Sequence, residues 1–279
     1  WSVEGSWVGD SVSGASPRLW TDKSSASQMQ DYRKAVDVKV TRYFSRAAVS
    51  ASLAYSDEHD YTSRAVGLDA RWSSEDNNRT WTIGYGRSLD KIDTTYRNST
   101  TAVDERKRTY EIMGGVTQVL TPDDIAQFNL TRSIGEGYYN DPYKQFDQRP
   151  KVRNNWIALF RWNHHVEKFD ASIKSSYRYY TDTFGVKSHT LGVEWVQPKG
   201  QWTFTPGVRY YTQSAANFYV DPVLDAQGQI DSLNSLLKIA LAAGDKSADQ
   251  RLSAFGAVTL SMKVSYALKP DTVVDVKYE

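Results

Sequence analysis

Residues 252–266 read LSAFGAVTLSMKVSY. Leu252, Ala254, Gly256, Val258, Leu260, Met262, Val264 and Tyr266 share one parity, and Ser253, Ala257, Thr259, Ser261, Lys263 and Ser265 share the other, with Phe255 the misfit. Only a period of two sorts the stretch this way, so it is a strand with one apolar and one polar face. Residues 202–213 sort alike: Trp202, Phe204, Val208 and Tyr210 against Thr203, Thr205, Arg209, Tyr211 and Gln213. An aromatic face opposite a polar one implies lipid outside and water inside. Repeated along the chain, the pattern is that of a membrane-spanning β-barrel.

Composition removes the competitors. The mean hydropathy is -0.59, and no uncharged apolar run approaches the roughly 20 residues a membrane helix needs. A barrel tolerates this polarity, because only alternate residues meet lipid. Nine Trp and eighteen Tyr suit interfacial girdles. The absence of cysteine excludes disulfides, thiolate zinc and c-type haem attachment within the chain. A net charge of +1 with dispersed Lys and Arg gives no argument for nucleic acid. No cofactor is expected, and no signal peptide stands at Trp1.

The periodicity predicts strands over residues 2–12, 32–43, 47–56, 62–73, 80–89, 108–120, 125–133, 155–162, 170–180, 189–197, 201–213, 251–266 and 272–278. Connections alternate short and long, as periplasmic turns and extracellular loops do; the short connection at 57–61 breaks the rhythm. The fold expectation is all-β, a transmembrane up-and-down antiparallel barrel of about 14–16 strands when complete. Residues 1–279 form one domain, with both ends expected to continue beyond Trp1 and Glu279. Residues 214–250 form the longest extracellular loop, and SLNSLLKIALAA at 232–243 suits a short helix better than a strand, packed on the barrel mouth in preference to plugging the lumen or meeting a partner.

Candidate lumen-lining residues are Lys39, Asp69, Arg71, Glu111, Arg161, Lys174, Arg178, Glu194, Arg209 and Lys263, with Asp37, Asp275 and Lys277 on the same parity. They read either as a solute-guiding wall or as solvated and mutually paired charges that hold register. Candidate girdle residues are Trp72, Trp81, Trp162, Trp195 and Trp202 at the short-turn ends and Tyr55, Trp156, Tyr177, Tyr179 and Tyr210 at the long-loop ends. The alternative is that aromatics simply favour strands. Loop acids such as Asp57, Glu58 and Asp60, Asp141 and Asp147, and Asp221, Asp225 and Asp231 match no EF-hand spacing and read as solvated surface. His164 and His165 adjoin in a turn without an evident third metal ligand. Neither a nucleophile elbow nor a His-Glu-x-x-His or phosphate-binding loop is present, and all four His lie near loops or strand ends. The expectation is a protein that is not an enzyme.

Several stretches carry a resemblance: DSVSGASP at 10–17, SDEHDYTS at 56–63, VTQVLTPDD at 116–124, NDPYK at 140–144, RWNHH at 161–165, RYYTQSAANFY at 209–219 and DQRLSAFGAVTL at 249–260. In order over nearly the whole chain, they resemble an uncharacterised family of bacterial outer-membrane β-barrels, domain of unknown function family 3570. The resemblance implies the outer membrane, a pair of strands before Trp1 and one after Glu279, and so about sixteen strands. It also implies company: a small lipoprotein and flavin-transfer or thioredoxin-like redox proteins in the envelope. No catalytic residues come with it. Partners are then the lipid bilayer, lipopolysaccharide and a lipoprotein or redox protein on the periplasmic or extracellular side. The functional expectation is a scaffold or pore of an envelope complex with redox or electron-transfer partners. A general diffusion porin is the alternative, and an outer-membrane hydrolase the least supported reading.

Overall fold

Thirteen strands follow one another around a single antiparallel sheet whose spatial order is the chain order. A computed structural model describes residues 1–16, 27–95, 103–269 and 271–279. The strands are β1 (Ser2–Ser16), β2 (Ser27–Tyr43), β3 (Ala47–Asp57), β4 (Tyr61–Ser73), β5 (Arg79–Asp93), β6 (Asp104–Val119) and β7 (Asp124–Gly137). There follow β8 (Val152–Val166), β9 (Ala171–Asp182), β10 (Lys187–Lys199), β11 (Trp202–Gln213), β12 (Phe255–Lys269) and β13 (Thr272–Tyr278). Each predicted strand appears, most of them longer than predicted. The expected loops at 13–31 and 90–107 shrink because β1, β2, β5 and β6 extend into them, while positions 17–26 and 96–102 lie outside the described residues.

Apolar residues lie on the outside, uncovered. Val258 and Leu260 on β12 are 66% and 72% exposed, and Leu53, Leu68, Ile83 and Ile112 repeat this across β3 to β6. A water-soluble sandwich would instead press such faces together. Here they form the lipid-facing band of an up-and-down outer-membrane-type barrel, with short periplasmic turns and long extracellular loops. Among the described residues no helix is long and apolar enough to cross a membrane.

Register shows the tilt a barrel needs. Trp72 pairs with Trp81 at the short-turn ends of β4 and β5, and the same row runs through Val116, Phe128, Phe160, Tyr177 and Leu191 to Tyr210. Tyr210 sits near the loop end of β11, so the row climbs from one rim to the other. β1 and β13 have sheet partners on one side only and run in the same direction.

One feature departs from the sequence reading. Residues 252–254 do not continue the outward face of β12, because the strand begins only at Phe255. Leu252 instead ends a short 3-10 turn and is buried in a loop core with Phe184, Val186 and Ala216. The parity of 252–266 ran on by coincidence into a segment with a different partner. Phe255 takes the inward register opposite Gln213 and packs beside the Tyr211 ring at 5.6 Å.

Candidate functional site

The inner wall carries the predicted charges, in two arrangements. On the β2 to β4 side Lys39 reaches Asp69 at 3.2 Å, and on the β12 to β13 side Lys263 reaches Asp275 at 3.0 Å. Asp37 accepts a hydrogen bond from Ser6, and Lys277 pairs with Glu279 at 2.7 Å. On β8 to β11 the cations are not ion-paired: among the described residues Arg161, Lys174, Arg178 and Arg209 make no ion pair, although Glu194 stands opposite Lys174. Register brings them together, because Arg161, Ser176, Gly192 and Arg209 form one row, flanked by Lys174 beside Glu194 and by Arg178 beside Thr190. The Arg161 guanidinium donates weakly to Gln127 at 3.4 Å, and Arg178 and Arg209 lie against Tyr180 and Tyr211. Arg71 and Glu111 stand apart from this group on β4 and β6 and are likewise unpaired among the described residues.

All ten girdle candidates take the outward parity of their strands. Trp72 stacks on Trp81 at 6.0 Å, and Trp162 stacks on His164 at 5.4 Å and donates to Asp124 at 2.9 Å. Trp195 meets Phe169 edge-on, Trp202 stacks on Phe204, and Trp156 lies under the Arg132 guanidinium at 4.9 Å. Tyr177 and Tyr179 flank His189, whose Nδ1 is 2.7 Å from the Tyr177 hydroxyl. Tyr55 and Tyr210 are exposed on β3 and β11. His164 is thus held by Asp124 at 2.9 Å, while His165 is 3.9 Å from Asp170. Among the described residues no three His or acids are grouped as a metal site would require.

Above the wall the loops fold on one another, which the sequence did not foretell. Phe184, between β9 and β10, is 1% exposed and meets Tyr139 and Phe218 edge-on at 5.7 and 5.0 Å. It therefore joins the β7–β8, β9–β10 and β11–β12 loops. Gln148 and Lys246 exchange backbone hydrogen bonds of 2.8 and 2.7 Å, adding a bridge between the first and third. Beneath that bridge Arg149 pairs with Asp147 at 2.8 Å and with Asp249 at 2.9 Å, and its side chain is 11% exposed. Arg251 extends the cluster to Asp249 at 2.6 Å and Asp141 at 2.7 Å. On the other flank Tyr143 donates to Asp60, tying in the β3–β4 connection.

The expectation of solvated loop acids is corrected at Asp147, whose side chain is fully buried. Its neighbours Ser247 and the backbone of Asp141 donate to it. Burial alone would raise the Asp249 carboxyl. Hydrogen bonds and charge from Arg251, with the charge of Arg149, outweigh burial and hold Asp249 at about 2. The same bonds keep the Arg251 guanidinium protonated beyond its ordinary range. No motif announced this cluster, since Arg149 and Asp249 are separated by 100 positions.

The expected helix is present as α1 (Ser232–Leu241), capped by the Asp231 side chain accepting from the Asn234 N–H at 3.0 Å. Ile239 and Ser235 are its buried residues, with Ile239 packed against Ala248, Tyr219, Val220 and Ile230. Lys246 Nζ donates to the carbonyls of Ala240 and Ala242 at its C-terminal end, where a cation complements the helix dipole. The helix packs within its own β11–β12 loop.

Similarity to known proteins agrees with this architecture. CdiB from Acinetobacter baumannii aligns at a TM-score of 0.50 and 10% identity, over 98% of this chain and 55% of that one. The siderophore receptor PirA from Pseudomonas aeruginosa aligns at 0.55 and 10% identity over 99% and 48%, and PirA from Acinetobacter baumannii at 0.54 and 8% over 89% and 42%. The chain thus spans about half the length of these solved structures, and at such identity the likeness is one of fold. No curated protein matches. The family described as a protein of unknown function, DUF3570, matches residues 10–279. The motifs, the lipid-facing band and the barrel neighbours therefore converge: the chain belongs to DUF3570, a family of unknown function whose fold here is that of bacterial outer-membrane β-barrels.

Proposed function

We propose that the protein is the membrane scaffold of an envelope assembly, roofed toward the outside by its own loops and offering the periplasm a wet, cationic inner wall. The observation that carries this reading is the Arg149 cluster. Ion pairs this buried fix loops from non-neighbouring hairpins to one another, and a general diffusion channel has no need of such a roof. The wall formed by Arg161, Lys174, Arg178 and Arg209 then faces an anionic segment of a partner. The family resemblance suggests a lipoprotein or redox protein for that role. Among the described residues His189 faces outward beside Tyr177, and His164 is engaged by Asp124, which gives the hydrolase reading no support.

Planar-bilayer recording of the purified chain tests the reading. The expected outcome is small or absent conductance that rises when Arg149 and Arg251 are replaced by Ala, together with a partner that co-purifies from native membranes under mild detergent. A large steady current through the unaltered barrel would replace the scaffold by the porin alternative. The four cations favour anion selectivity in that case, and neutralising Arg161 and Arg209 would then shift the reversal potential toward cations.

A further inference from the structure

Among the described residues two guanidiniums on the lipid side of the wall stand without any side-chain partner. Arg64 on β4 and Arg106 on β6 share the outward parity of Val66 and Ile112, and among the described residues neither guanidinium joins a hydrogen bond, ion pair or ring contact. Register places them together. One row runs Tyr55, Arg64, Leu89, Arg108, Glu136, and the next row toward the loops runs Thr62, Lys91, Arg106. These residues line a concave pocket of about 860 Å³. Tyr55 and exposed Leu89 supply its apolar surface.

The height of the pocket decides what it meets. Arg64 is eight residues along β4 from Trp72. At the usual rise and tilt of a barrel strand this is ~20 Å, close to the upper limit of a ~25 Å apolar band. Its cross-strand partner Tyr55 belongs to the expected outer girdle. An outward cation is tolerated at that level, whereas nearer the middle of the membrane it is costly.

Charge in the pocket is unbalanced. Arg108 is satisfied by Glu136 at 2.5 Å, Lys91 by Asp93 at 2.8 Å, and Lys107 by Asp90 at 3.4 Å, which among the described residues leaves Arg64 and Arg106 open. The wall at β9 to β11 differs at this rim. There β9 to β11 present Tyr177, Tyr179, His189, Leu191 and Tyr210, with Lys187 the nearest cation. The asymmetry sets β4 to β6 apart from β9 to β11.

We propose that this pocket binds the phosphorylated glycolipid of the outer leaflet, lipopolysaccharide, with Arg64 and Arg106 gripping its phosphates and Tyr55 and Leu89 lying along its sugar and acyl boundary. Guanidinium forks match phosphate oxygens in geometry and charge, and this leaflet holds phosphates at that height. The inference stands on the barrel fold and is independent of the scaffold reading.

The test is titration of lipopolysaccharide onto the full chain in nanodiscs of neutral lipid. Arg64→Gln with Arg106→Gln should weaken binding about tenfold or more, while Lys187→Gln on β10 leaves it unchanged. Dephosphorylated lipopolysaccharide should bind the unaltered chain no better than the double variant does. Retained heat-modifiable gel mobility shows that the variants fold. Equal binding by all variants, indifference to the lipid phosphates, or displacement of the lipid by millimolar inorganic phosphate would each overturn the proposal, the last by showing a site for free anions.

Discussion

The wall and the cap of this barrel obey opposite rules. In the wall, apolar side chains such as Leu260 stand out uncovered and the charges Lys39 and Asp69 face the interior, each more than a third exposed. In the cap, Phe184 is sealed in a dry cluster and Asp147, Arg149 and Asp249 are paired out of reach of water. One chain is thus folded against two solvents, and a residue's exposure means different things on either side of the rim. Cap residues should behave like those of a small soluble domain, wall residues like those of a membrane protein.

The sharpest test of the division is Phe184→Ala. Removing a fully buried ring costs about 3–5 kcal/mol, more than a small loop domain of this kind holds in reserve. The expected result is protease cleavage within 214–250 on reconstituted protein, with the wall's resistance to detergent unfolding retained. Cleavage accompanied by collapse of the barrel would mean that cap and wall are one cooperative unit. Arg149→Met should follow with about 3 kcal/mol, because it leaves Asp147 buried without its cation, while Arg251 still serves Asp249. The same proteolysis assay should place it between the unaltered chain and Phe184→Ala.

Leu260→Arg breaks the comparison from the other side. At 72% exposure the replacement would be nearly neutral in a soluble protein. Near the middle of a lipid-facing strand it costs about 2–3 kcal/mol, to be read as a lower denaturant midpoint for the whole barrel in lipid. An unchanged midpoint would argue that this face does not meet hydrocarbon. Acid gives the next effect down. Asp249 has its folded pKa depressed to about 2 from an ordinary 3.8. Its contribution, about 2 kcal/mol by linkage, is complete above pH 4 and disappears as pH falls toward 2. Protease sensitivity of the cap should rise in that window, and Asp249→Asn should be less stable at neutral pH and lose the dependence.

How much of this could be read beforehand follows from the same contrast. A strand between lipid and water writes its environment into alternate residues, so 202–213 and 256–266 disclosed their faces without any partner being known. The opposite parities of Arg209 and Tyr210 were legible for that reason. The cap was not. Its contacts join Arg149 to Asp249 and Phe184 to Phe218, positions brought together only when the hairpins are already aligned, and no local period records such pairing. Leu252 shows the boundary: it extended an alternation that belonged to β12 while its side chain belonged to the loop core. The α1 segment was readable because a helix buries one stripe on a period of its own.

The smallest expected effect is the one that separates wall from cap most cleanly in chemistry. Lys39 and Asp69 approach to 3.2 Å, nearly as close as Arg149 and Asp249 at 2.9 Å. Distance alone would rate the two pairs alike. The lumen pair remains in contact with water, where screening and side-chain entropy leave an ion pair with ~1 kcal/mol or less, and Asp69 left without its lysine can simply be hydrated. Lys39→Met should therefore change the barrel's denaturant midpoint by less than a third of what Arg149→Met does to the cap, and raising salt should shrink the difference further. A lumen pair that proved as costly to break as the cap pair would mean that the inner wall at β2 to β4 is dry, and that something other than water occupies it.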